Sequence, residues 1–64
     1  PYALKDLESI PTRIFEKGLL KEDGLFVLEH GKDNHFEEDP HFIERRVYGS
    51  VNFSFFKAKV PTDE

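Results

Sequence analysis

Residues 45–56 read RRVYGSVNFSFF. Two strand-forming runs, Phe42 to Tyr48 and Val51 to Lys59, flank the pair Gly49-Ser50. Gly followed by Ser in a two-residue loop suits a type II′ turn, so the stretch predicts an antiparallel hairpin. Along the second strand the side chains alternate. Val51, Phe53 and Phe55 take one face, and Asn52, Ser54 and Phe56 take the other.

Reading back from the hairpin, residues 31–40 are polar and acidic and predict a loop or at most a helical turn. Before them lies Leu25-Phe26-Val27-Leu28, a continuous apolar run ending at Glu29-His30-Gly31. Strands covered on both faces look like this, and parallel strands of α/β sheets are their usual owners. Lys21-Glu22-Asp23-Gly24 is the turn that leads into it. Further back, Leu7, Ile10 and Ile14 recur at helical spacing, widened by Phe15 and Leu19. The spacing predicts a helix from Ser9 to Lys17. Ser9 would be its N-cap, Pro11 would sit in the first turn, Gly18 would stop it, and Leu7 would staple its start. Helix, short turn and buried strand make half of a βαβ unit. The tail from Val60 to Glu64 is polar and is expected to fray.

Sixty-four residues make at most one domain. A chain this short buries only about 60% of its unfolded surface. With no Cys there is no disulfide framework, no thiolate metal cluster and no Cys nucleophile. The absence of Cys fits a cytoplasmic protein. No apolar run approaches the ~18 residues of a membrane span. Seven Phe and two Tyr are too many for a disordered tail and need a core or a partner to cover them. The net charge of −4 argues against a freestanding nucleic-acid anchor, which is normally basic.

Pro1-Tyr2 looks like the back half of the (Asp/Asn)-Pro-Pro-(Tyr/Phe) motif of S-adenosylmethionine-dependent N-methyltransferases. In that family the motif ends the fourth strand, beside the methyl donor. The following helix and apolar strand match the family's next elements, and the hairpin matches its antiparallel sixth and seventh strands. The runs GLLKEDGLFVLEH (18–30) and RRVYGSVNFSFF (45–56) together resemble the carboxyl-terminal end of RsmD-type 16S rRNA guanine-N2 methyltransferases. The resemblance extends from Pro1 to about Lys57.

The resemblance implies an α/β fold class: the carboxyl-terminal piece of a Rossmann-like class I methyltransferase fold, with residues 1–64 as one partial domain. It implies methyl transfer from S-adenosylmethionine to the exocyclic amine of a guanine in small-subunit rRNA, in the cytoplasm. Pro1 and Tyr2 would be the catalytic positions, with the Tyr2 ring stacking on a flipped-out guanine. The motif's Asp or Asn, its first Pro and a GxG-like donor loop have no counterpart in these 64 residues. The chain alone is therefore expected neither to bind the donor nor to methylate, and rRNA would be held by a part that precedes it.

The remaining candidates each have a plainer reading. Glu29 and His30 end the apolar strand, where ligands of open α/β sheets bind, but Glu29 would also serve as a solvated partner of Arg45 or Lys32. Arg45-Arg46 is the only adjacent basic pair, and one of the two could meet phosphate while the other stays a surface group. His30, His35 and His41 sit among Asp33, Glu37, Glu38 and Asp39. Their spacing matches no standard zinc pattern, so a solvated acidic loop is expected rather than a metal site. Phe26, Phe53 and Phe55 are assigned to the core. Phe56 is expected on a face left bare, which invites self-association. A second architecture fits the same residues: a small non-catalytic α+β interaction module whose Phe surface is buried by a partner.

Overall fold

The computed structural model describes residues 7–61. A single 3-10 turn, Leu7–Ser9, runs into helix α1, Ile10–Glu16. Three strands follow: β1 (Leu25–His30), β2 (Phe42–Tyr48) and β3 (Val51–Lys57). They form one sheet in the order β1-β3-β2, antiparallel throughout. The last strand thus lies in the middle, and β1 and β2 run parallel to each other on either side of it. The molecule is a mixed α+β unit.

The helix ends as its sequence requires. Gly18 takes a left-handed φ of 62°. The Leu19 N–H donates to the Ile14 carbonyl and the Gly18 N–H to the Phe15 carbonyl. These are the paired bonds of a Schellman stop, and glycine adopts that φ without the Cβ penalty. The start differs from expectation. Ser9 is helical (φ −91°, ψ −8°) and makes no side-chain cap. The chain enters α1 through the 3-10 turn, which buries Leu7, and Pro11 packs beneath it.

Gly49 also has φ 62°, and Ser50 has no positive φ. Positive φ at the first central position alone fits the II′ turn, which closes on the pair Tyr48↔Val51. An irregularity between Phe42 and Glu44 shifts the β2 register by one residue. It places Phe42 opposite Phe56, on the helix side, while Glu44 and Arg46 oppose Phe55 and Phe53 on the other side. Without that extra residue all three would share one face, because strand side chains alternate.

The core lies between α1, the 31–41 loop and one face of the sheet. Phe56 is its centre, with 0% exposure. The rings of Phe26, Phe36, Phe42 and Phe15 surround it, with centroids 5.5, 5.7, 6.0 and 6.4 Å away. This corrects the expectation for the two faces of β3. Phe56 is the buried ring, and Phe53 and Phe55 lie half-buried on the face that no described element covers. Strand β1 is likewise one-sided. Leu25 and Val27 are 55% and 43% exposed, whereas Phe26, Leu28 and His30 turn toward the core. A continuous apolar run does not by itself show that both faces are covered.

Candidate functional site

Because β1 and β2 run parallel, their carboxyl ends meet at one end of the sheet. Glu29, His30 and the 31–34 turn lie there, beside Tyr48 and the Gly49 turn. This is the end at which open sheets of mostly parallel strands bind ligands. Pro1 and Tyr2 lie outside the described residues.

His30 does not line that rim. It is fully buried, between β3 and the loop. Its Nε2 is 2.7 Å from Ser54 Oγ and its Nδ1 is 2.8 Å from the Gly31 carbonyl. The carbonyl only accepts, so Nδ1 carries a proton and donates. The Phe36 ring packs against the imidazole at 4.8 Å. A hydroxyl hydrogen-bonded to an imidazole is the arrangement that activates a serine nucleophile. Here both residues have 0% exposure, so no substrate reaches the hydroxyl. The pair is a satisfied polar contact in the core, and His30 is shielded from solvent. The alternation of β1 explains this, since position 30 shares a face with Phe26 and Leu28.

Glu29 takes the opposite, exposed face, across from Phe53. Arg45 and Arg46 also separate by face. Arg45 points to the helix side, where its Nη1 is 3.4 Å from Glu37 and 3.5 Å from His35 Nδ1. Arg46 lies on the open face, paired with Glu44, its guanidinium 5.1 Å above the Phe55 ring centre. The Glu44 hydrogen bond and charge, with the Tyr48 hydroxyl, hold Arg46 above its ordinary pKa, so it is a cation at every working pH. Each arginine thus has a carboxylate partner within the chain.

The 31–41 loop is better anchored than its composition suggests. Phe36 is buried within it. The His35 N–H donates to the Glu8 carboxylate at 2.9 Å, which ties the loop to the 3-10 turn before α1. The His41 ring stacks on Phe15 at 3.7 Å and its Nδ1 is 2.9 Å from the Lys57 carbonyl. Phe36 and His41 are the structural residues that composition concealed. The available signal was a lone Phe in an otherwise acidic stretch, which has no reason to be there unless it is buried. Among the described residues no three His, Asp or Glu side chains come together to hold a metal ion.

A concavity of about 510 Å³ is bounded by Glu22, Asp23, Gly24, Lys57 and Lys59. It lies at the opposite end of the sheet, at the start of β1, and its lining mixes both charges. It has neither the position nor the Gly-rich backbone of a nucleotide-type site. No helix among the described residues is long and apolar enough to cross a membrane. Compared with known proteins, the chain matches no protein-family model, no curated protein and no solved structure.

Proposed function

We propose that this chain is the carboxyl-terminal part of an S-adenosylmethionine-dependent RNA methyltransferase of the RsmD type, acting on a guanine exocyclic amine in small-subunit rRNA. The observation that supports the reading is the sheet order. The closing hairpin puts its last strand between β1 and β2, antiparallel to both. Two parallel strands with an antiparallel one inserted suit the finishing edge of a mostly parallel sheet. The edge of β1 away from β3 is where such a sheet would continue.

On this reading Tyr2, five residues before the 3-10 turn, stacks on the extruded guanine, and Pro1 shapes the loop that presents it. The bond from His35 to Glu8 steadies the turn that follows them. On this reading S-adenosylmethionine and the grip on rRNA would belong to a preceding part of the protein. The open face with Phe53 and Phe55 favours a second reading, an interaction module without catalysis.

The coding sequence immediately upstream of Pro1 separates the two. An Asp-Pro or Asn-Pro there, with a Gly-rich strand–loop–helix farther back, supports the enzyme, and a start codon adjoining Pro1 refutes it. The product of the whole reading frame should methylate guanine N2 in small-subunit rRNA. Tyr2→Ala should lower that rate roughly tenfold to a hundredfold, the worth of one lost stacking contact. Calorimetric titration of the 64-residue chain alone with S-adenosylmethionine should show no micromolar binding.

A further inference from the structure

The chain contains a single Asp-Pro step, Asp39-Pro40, in the loop that leads into β2. A peptide bond to proline is a tertiary amide whose nitrogen carries no hydrogen. The aspartate before it has a carboxylate that can reach its own main-chain carbonyl carbon through a five-membered ring. That combination makes such bonds labile in acid. In an unfolded chain both groups wander between conformers, and the reaction waits on a rare alignment.

Here both groups are held. The His41 N–H donates to Asp39 Oδ1 at 2.8 Å, which leaves Oδ2 outside that bond. The Phe42 N–H donates to the Asp39 carbonyl oxygen at 3.0 Å. Attack on that carbonyl would build negative charge on the same oxygen, so the donor is placed to stabilise it. The flanks are fixed as well. Upstream, the Asp39 N–H donates to the carbonyl of the buried Phe36. Downstream, His41 is stacked on Phe15, its Nδ1 is 2.9 Å from the Lys57 carbonyl, and its own carbonyl accepts from the Lys57 N–H. Pro40 is exposed, and the bond borders a hollow that Glu8, His35 and Glu38 also line, so water reaches it.

We infer that Asp39–Pro40 is a self-cleavage site activated by the fold. Asp39 Oδ2 adds to the Asp39 main-chain carbonyl carbon. The bond to the Pro40 nitrogen then breaks, and the nitrogen keeps the electron pair and takes a proton from the acidified solvent. Water adds to the resulting cyclic anhydride and opens one of its C–O bonds. Asp39 is left with two carboxyl groups and Pro40 with a free amine. The sum is one peptide bond hydrolysed by one water. The two pieces stay paired, because β1 on the first joins β3 on the second through six residues and Phe36 packs against Phe56. This inference is independent of the methyltransferase reading, because it uses only a bond within the described residues.

The test compares one chain in two states. The 64-residue chain is held in mild acid, at the lowest pH that leaves its circular dichroism spectrum unchanged, with and without guanidinium chloride. Mass spectrometry follows the cut. The folded chain should yield residues 1–39 and 40–64 at least about tenfold faster than the unfolded one at the same pH, the effect of alignment. Asp39→Asn keeps an oxygen for the His41 N–H but loses the nucleophile, and should cut no faster folded than unfolded. In heavy-oxygen water the label should divide between the main-chain and side-chain carboxyl groups of Asp39, the mark of an anhydride. A folded chain that cuts no faster than the unfolded one would overturn the proposal. So would an Asp39→Asn chain that cuts as fast as the natural sequence. Should Asp39→Asn fail to fold, the label decides alone: heavy oxygen confined to the main-chain carboxyl means direct attack by water and refutes the mechanism.

Discussion

Neighbouring residues of β3 show how sharply a one-sided sheet divides the roles of identical side chains. Phe56 is enclosed by four other rings, while Phe55, one position away, lies half-buried under the Arg46 guanidinium. Phe56→Ala removes a fully enclosed ring, and such changes cost about 3–5 kcal/mol. That is comparable to the whole stability of a domain this size, so the variant should be unfolded by circular dichroism at room temperature. Phe55→Ala loses a partly wet ring and a cation–π contact of about 0.5–1 kcal/mol, so it should remain folded with a lower urea midpoint. The alternation of β3 was legible in the sequence. Which face would be covered was not, because that depends on where α1 and the loop come to rest.

The pair His30–Ser54 gives a second test at this scale. Ser54→Ala leaves the imidazole Nε2 buried without a partner, a cost of about 1–3 kcal/mol. His30→Leu leaves the hydroxyl alone at a similar cost. The double variant replaces both by apolar groups and should lose less than the sum of the two, in a cycle read from urea unfolding. Additive losses would mean that the 2.7 Å contact contributes nothing of its own. Candidate-site reading misplaced His30 for a reason visible here. Its position at a strand end suggested a rim, but the period-two count from Phe26 already pointed it inward.

At the scale of elements, glycine placement carried most of the readable information. Gly18 and Gly49 hold the same φ of 62°, one ending α1 and the other turning the hairpin, and both were legible from local sequence. An L-residue pays roughly 1–2 kcal/mol for the left-handed conformation. Gly49→Ala should therefore lower the thermal midpoint by several degrees, since ~1 kcal/mol shifts a domain of this size by about 4–8 °C. A D-alanine at the same position, introduced by chemical synthesis, should restore it. Nothing stands within 4 Å of a Cβ at Gly49, so a failure of D-alanine to rescue would exclude backbone conformation as the cause. The Ser9 cap was misjudged because a 3-10 turn continues the helix upstream. The β2 bulge was invisible because an extra residue has no local sequence signature. It is demanded by the need to put Phe42 inside and Arg46 outside.

For the whole molecule, the hairpin could be read from adjacent residues, but the pairing of β1 with β3 could not, because it joins segments about 25 residues apart through a loop of acidic appearance. Among the described residues that pairing leaves one face of the sheet half covered, and a small domain built this way has little stability to spare. If copies of the chain associate through the face that carries Phe53 and Phe55, folding and association are linked, and stability must depend on chain concentration. Each tenfold increase in concentration adds ~1.4 kcal/mol per dimer, or about half of that per chain. Converted at the midpoint, this predicts a rise of roughly 3–6 °C per decade of concentration. Thermal unfolding followed by circular dichroism over two decades should then show that slope for the natural sequence and a flat line for Phe55→Ser. A flat line for both would mean that one sheet face and one enclosed ring cluster suffice to hold a single copy together. A slope for both would move the shared surface away from the aromatic face of β3.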